Sequence, residues 1–295
     1  MRVAVLGASG VIGTALLPEL VREHDVVAVS RSPHPSASGV RWLQADATDE
    51  RSLEAVFRGV DVCVYLVHSL GSQDFETADR LAALNVARAA SVAGVGQIVY
   101  LGGLGDDSPD LSRHLRSRQE TAEALSSGTV SVTTLRAAMV VGPGSAAFET
   151  ILALVDRLPA MICPRWVTVP TQPIALQDVV RYLSGVCGLE PALGHTFDVG
   201  GPEVMTYREM IERIAHWRGK HPLIIEVPVL TPRLSSWWLH LVTPVKAAVA
   251  RPLIEGLRIP TVAHDNRIRE LVSIELTPFD DAVRDTLANS AALGG

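Results

Sequence analysis

The chain has 295 residues, 47% of them hydrophobic, and a formal net charge of -6 with acids and bases interspersed. That supports a sizeable core, in one large domain or two intimate ones, and leaves no electrostatic footprint for nucleic acid. Prolines and charges interrupt every apolar stretch before the roughly eighteen residues of a transmembrane helix, Met1-Arg2 leads straight into a strand instead of a signal peptide, and Cys63, Cys163 and Cys187 lack metal-ligand or disulfide spacing, which points to a reducing cytoplasm.

Val3 to Leu6 reads as a buried parallel strand, and Gly7, Gly10 and Gly13 follow it at once. Ala15, Leu16, Leu17, Leu20 and Val21 then mark a helix with an apolar stripe, and Val26 to Val29 a second strand. In such a β-α-β unit the glycines lack the Cβ atoms that would keep a backbone away from a pyrophosphate, and the helix N-terminus holds its charge. The implied ligand is a dinucleotide, cradled by Gly7, Ser9, Gly10, Val11, Ile12 and Gly13.

The second strand ends in Ser30-Arg31-Ser32, where a site built for NAD would place an acid. A guanidinium and two hydroxyls suit a 2′-phosphate, which favours NADP(H) over NAD(H); the alternative is an ordinary solvated loop arginine. Val40 to Asp46 reads as a third strand. Asp46, with Ala47, either reaches the adenine end or caps a helix beginning near Asp49. The fourth strand, Val62 to Val67, delivers His68 to the crevice that strand ends line, as a neighbour of the cofactor or as a packed histidine. Asp74-Phe75-Glu76 opens a long helix carrying Asp79 and Asn85, its acids matching the helix dipole.

The segments GASGVIG, SRS and QADATD, with the helix of Asn85, resemble the short-chain dehydrogenase/reductase superfamily in its extended and atypical branches, near the NmrA-like and complex I 39 kDa subunit-like groups. The resemblance makes Asn85 the superfamily's helix asparagine, Gln97 to Leu101 the fifth strand, and Thr134-Leu135-Arg136 the sixth, with Gly142-Pro143-Gly144 as exit loop. His195 to Gly201 resembles the late strand before the carboxy-terminal helices. Active members carry a Ser at the end of the fifth strand and a Tyr-x-x-x-Lys on the next helix. Here Gly102-Gly103 stands where the Ser would be, His114 at the Tyr position and Arg118 at the Lys position. His114 and Arg118 are the catalytic candidates: Arg118 favours the neutral imidazole, which accepts a proton better than it donates one, or holds ribose or phosphate oxygens. The alternative is two residues one turn apart on an exposed face. Gly102 and Arg118 join the cofactor set, and Asp106 in the following loop is a polar wall, a base, or a solvated turn residue.

Beyond Gly144 the strand-helix alternation breaks. Ser145 to Leu158 has helical spacing and Pro159 to Pro164 ends it; Arg165 to Pro170 reads as extended, Gln172 as a candidate contact or loop amide, and Gln177 to Val180 as a helix returning to the sheet. Thr206 is placed to cap a helix from Tyr207 to Arg218, Ile224 to Leu230 reads as an edge strand because of Pro228, and Ala288 to Gly295 as a frayed tail. Trp237 and Trp238 lie in an apolar stretch that lines a substrate pocket, belongs to a core or subunit interface, or makes peripheral membrane contact.

The whole implies an α/β fold, a doubly wound parallel sheet (Rossmann) with a smaller C-terminal part that shapes an apolar cleft. Residues 1–144 form the NADP-binding domain and 145–295 the substrate part, with about 172–202 returning to the sheet. The expected function is a cytoplasmic NADP(H)-dependent oxidoreductase acting on a small apolar substrate. The alternatives are a non-catalytic NADP(H)-binding sensor or assembly subunit, and an NAD(P)-dependent epimerase or dehydratase.

Overall fold

The computed structural model describes residues 1–36, 39–69, 74–105, 111–227 and 257–293. The expectations for Asp106, Pro228 and the Trp237-Trp238 stretch fall outside them.

The central sheet is built from short runs buried on both faces, as parallel strands must be when helices cover each side. These are β1 (Arg2–Leu6), β2 (Asp25–Ser30), β4 (Val62–Tyr65), β5 (Gln97–Gly103), β6 (Ser131–Ala137) and β11 (Thr196–Val199), with the more exposed β3 (Val40–Gln44) at the edge. Their order is β11-β6-β5-β4-β1-β2-β3, and each neighbouring pair is parallel. This is the doubly wound Rossmann arrangement. The order reverses between β1 and β4, so a crevice opens at the carboxyl ends of those strands, where ligands of such sheets bind.

On one face α1 (Val11–Leu20) and α6 (Leu176–Gly185) bury Leu16, Leu20, Val179 and Leu183 against Val3, Val5 and Val64. On the other, α2 (Glu50–Leu53), α3 (Phe75–Ala93) and α4 (Arg113–Leu125) bury Leu53, Val86 and Leu125 around Tyr65 and Tyr100. A third apolar cluster holds the C-terminal part together, joining α5 (Ala146–Arg157), α7 (Tyr207–Trp217) and the start of α9 (Phe279–Leu293) through Phe148, Ile151, Met210, Ile214 and Val283. Thr206 caps α7 with a reciprocal Thr206–Glu209 capping box.

The C-terminal part departs from the expectations in three places. Pro159 to Pro164 does not merely end a helix: Ala160–Pro164 is a strand, β8, pairing in parallel with β13 (Leu223–Val227), because Met161 and Cys163 point inward while Ala160 and Ile162 face out. Arg165–Thr168 is a 3-10 turn, not an extended run, leading into β9 (Pro170–Thr171). The tail stays helical to Leu293, because α9 buries Phe279, Ala282 and Val283. Two short pairs complete this part: β7 (Val140–Val141) beside β10 (Ile174–Ala175), and β9 beside β12 (Met205–Thr206). A five-residue helix, α8 (Arg267–Leu271), precedes α9. Among the described residues no helix is long and apolar enough to cross a membrane.

Candidate functional site

The turn between β1 and α1 is dictated by its glycines. Gly7 has φ +82°, and a Cβ on it would stand 2.9 Å from the Leu66 carbonyl group, so no other residue fits without moving β4's exit. A Cβ on Gly13 would stand 2.6 Å from the Gly7 carbonyl oxygen, which fixes how closely α1 packs on the turn. Gly10 is the N-cap of α1 and carries no side-chain cap, leaving the first N–H groups of the helix open. An open, Cβ-free helix start is a fitting cradle for a diphosphate.

The turn is one end of a cleft of about 510 Å³ at the carboxyl ends of β1, β4, β5 and β6. Gly7, Gly10, Val11, Ile12 and Gly13 line it, and so do His68, Gly102, His114 and Arg118. Met139 lines it as well, with Ser145, Tyr207, Leu257 and Thr261 from the C-terminal part. The Tyr207 ring meets Trp166 edge-on at 6.0 Å, and its hydroxyl is tied to Thr171 and Thr261, themselves 2.8 Å apart.

Three nitrogen-bearing side chains gather at the strand ends. His114 and Arg118 sit one turn apart on α4, whose start is capped by Ser112. They face the cleft, not bulk solvent. Arg118 donates to the Leu101 carbonyl, and its guanidinium lies over the Tyr100 ring, 5.0 Å from the centroid. Surrounding protein and the Arg118 charge push the His114 pKa down to about 3. His68 is reached by solvent through the open cleft, yet the protein around it and Arg118 lower its pKa to about 4. Both imidazoles are therefore neutral at ordinary pH, each with one N–H donor and one acceptor.

Behind them lies a buried polar group that the sequence did not single out for chemistry. Asp79 on α3 is 2% exposed and accepts from the backbone and hydroxyl of Ser69, next to His68. Burial raises its pKa while Ser69 and Arg118 oppose the rise. Among the described residues, Asp79 Oδ1, the Tyr65 hydroxyl and Arg118 Nη1 are buried without hydrogen-bond partners, although the three residues interact electrostatically. Unpaired buried polar atoms are uncommon, and they gather directly behind the cleft.

The remaining candidates do not line the cleft. Ser9 is exposed beside the glycine turn. Ser30 is buried and its hydroxyl donates to the Ser32 carbonyl, holding the loop that presents exposed Arg31 and Ser32. Gln44 fastens the Arg31 carbonyl at 2.9 Å. Asp46 accepts from the Thr48 N–H at 2.9 Å and its hydroxyl at 2.8 Å, and with Arg31 nearby its pKa is lowered. Asp49, not Asp46, caps α2. Asn85 donates to the Ala47 carbonyl at 3.1 Å, so it positions the β3–α2 loop from behind. Gln172 is spent internally, on the Gly201 carbonyl at 2.7 Å and the Ala263 N–H at 2.9 Å, and is no cleft contact.

Comparison with known proteins bears on this geometry. A family model described as NAD(P)H-binding matches residues 7–143. An uncharacterized protein of Mycobacterium tuberculosis is 35% identical over 102 residues, 34% of this chain but only 12% of that protein's length. NADH dehydrogenase [ubiquinone] 1 alpha subcomplex subunit 9 of Arabidopsis thaliana is 25% identical over 76% of this chain and 60% of its own length. A (4-alkanoyl-5-oxo-2,5-dihydrofuran-3-yl)methyl phosphate reductase of Streptomyces griseus is 27% identical over 76% of each chain. Among solved structures, a nucleoside-diphosphate-sugar epimerase from Staphylococcus aureus superposes with TM-score 0.78 at 18% identity, over 96% of this chain and all of that one. The Citrobacter sp. triphenylmethane reductase complexed with NADP(H) gives 0.76 at 18%, over 97% and all. At these identities the structures speak for the fold alone.

Proposed function

We propose, from the match of residues 7–143 to the NAD(P)H-binding family model, that the protein is an NADP(H)-dependent oxidoreductase acting on a small apolar substrate. The observation that carries this reading is one continuous cleft: the glycine turn forms one end, and His68, His114 and Arg118 stand beside the strand ends. The glycine turn and the α1 N-terminus would hold the diphosphate, and Arg31, Ser32 and Asp46 would meet the adenosine end. The bound nicotinamide would supply hydride chemistry. The chain's own part is to orient, to exclude water and to place charge. Arg118, pinned on Leu101, supplies a fixed cation, and neutral His114 supplies a hydrogen-bond donor or a proton acceptor.

A preference for the 2′-phosphate is supported by the exposed Arg31 side chain on a loop fastened by Ser30 and Gln44. Leu101, Leu104, Met139 and Leu257 support an apolar substrate. Three buried free thiols are in keeping with a reducing compartment such as the cytoplasm. Calorimetric titration with NADPH and NADH tests the reading. Saturable binding with NADPH the tighter is expected, and NADH binding as tightly would overturn the NADP assignment.

A further inference from the structure

β8 and β13 make a two-stranded sheet separate from the central one. Their parallel register sets Ala160 beside Leu223, Ile162 beside Ile225 and Pro164 beside Val227. Side chains alternate along a strand, so these six share one face, while Met161, Cys163 and Ile224 are buried on the other, in the C-terminal core. The shared face is open: Ile162 is 54% exposed, Leu223 61% and Ile225 44%. Glu226, the one charged residue of the two strands, falls on the side of Ile224 and pairs with Arg208 of α7 at 2.5 Å. A contiguous apolar face that carries no charge is uncommon on a protein surface, where exposed apolar residues are ordinarily scattered singly.

The strands are parallel, so both begin at the same end of this face, and bases gather there. Asp156 and Arg157 close α5 just before β8, and Arg218 and Lys220 end the turn after α7 just before β13. Arg218 meets the Asp156 carboxylate at 2.8 Å and Lys220 lies 3.5 Å from it, so one acid serves all three bases and the group keeps a net positive charge. The chain that follows β13, residues 228–256, has the same character in sequence, with Trp237 and Trp238, the bases Arg233, Lys246 and Arg251, and Glu255 as its acid. We propose that the outer face of β8 and β13 docks on a lipid bilayer that carries anionic headgroups. Ile162, Leu223 and Ile225 enter the acyl boundary, and the bases at the strand starts lie among the headgroups. Apolar side chains gain by leaving water and bases gain from the negative surface potential, so the two act together. A second copy of the chain would cover the apolar face but would bring a second set of like charges to it, whereas an anionic bilayer answers both. The contact does not depend on dinucleotide binding.

The test uses the full chain and sedimentation with vesicles. Binding to vesicles of equal parts phosphatidylcholine and phosphatidylglycerol should exceed binding to phosphatidylcholine alone by about tenfold or more, and should fall as salt rises. Ile162→Ser combined with Ile225→Ser should weaken it by about tenfold or more, with urea midpoints showing that the variant is folded. A second measurement locates the contact whether or not that variant folds. The native thiols Cys63, Cys163 and Cys187 are buried, so a polarity-sensitive fluorophore attaches selectively to Ile162→Cys. Its emission should shift to the blue on the anionic vesicles, while the same label on Val92→Cys, at a 90% exposed position of α3, should not respond. Failure to sediment, equal binding to the two kinds of vesicle, or an Ile162→Cys label that stays unchanged while the protein sediments overturns the proposal. So does a label that shifts without vesicles as protein concentration rises, which would make the face an interface between copies of this chain.

Discussion

Arg118 and Tyr100 hold each other in place: the guanidinium lies 5.0 Å from the centre of the Tyr100 ring, and the Tyr100 hydroxyl donates back to the Arg118 carbonyl at 3.0 Å. A side chain from α4 and one from β5 thus fix the cleft's cation where the strand ends. Tyr100→Phe removes the bond but keeps the ring, and should cost about 1 kcal/mol of stability. Tyr100→Leu should cost more and blunt any effect of Arg118 on ligands. Denaturant midpoints of both variants check the order of stability, and NADPH titration should show only the leucine variant weakened.

Gly13→Ala places a methyl group 2.6 Å from the Gly7 carbonyl oxygen and the Ala8 Cα. Both neighbours are backbone, so α1 must move. A loss of roughly 1–3 kcal/mol is expected from such overpacking, with a larger fall in NADPH affinity than in stability. Thermal melts with and without NADPH separate the two effects.

Arg31→Ala should weaken NADPH by about tenfold or more and leave NADH nearly unchanged, since only the 2′-phosphate offers the guanidinium a charged partner. Asp46→Asn removes a carboxylate near Arg31 whose pKa is already lowered. It should shift the preference further towards NADPH. Equal effects of Arg31→Ala on both nucleotides would contradict the assignment.

The histidines tie stability to acid. In the folded chain His68 and His114 titrate at about 4 and about 3, whereas in the unfolded chain each titrates near its ordinary value of roughly 6.5. Below that value the unfolded state binds protons that the fold refuses, so stability is full above about pH 6.5 and declines as pH falls towards the folded values. His114→Gln should flatten the decline between about pH 6.5 and about pH 4 in urea midpoints. An unchanged slope would show that the imidazole is not held neutral.

Asp79→Asn keeps an acceptor for Ser69 and loses the charge behind Arg118; Asp79→Ala loses both. Both should fold, because the native carboxylate is buried at a cost, with one oxygen unpaired among the described residues. The alanine variant should free the His68-Ser69 turn, seen as faster amide exchange there.

The glycine turn, the paired strands and helices and the Rossmann order could be read from the sequence because each is a local pattern: a buried apolar run, a Cβ-free turn, a helical stripe. His114 and Arg118 were legible as neighbours because a helix repeats every 3.6 residues. That His68 joins them could only be suspected, since β4 and α4 meet through the sheet. Tyr207, Leu257 and Thr261 gave no signal, because they reach the cleft only when the C-terminal part folds back. β8 was missed because four residues between two prolines resemble a helix stop until a partner strand more than fifty residues later pairs with them. Asp79 was legible only as one residue of the helix that also carries Asn85, and its burial is what sets it apart.

In the proposed complex one cleft holds a dinucleotide at the glycine turn and presents its reactive end to His68, His114 and Arg118. A crystal structure grown with NADPH tests it most directly. The diphosphate is expected over Gly10 at the start of α1, the 2′-phosphate beside Arg31, and the nicotinamide in the cleft near Gly102 and His114. Nucleotide bound elsewhere, or a nicotinamide turned away from those three side chains, would contradict it.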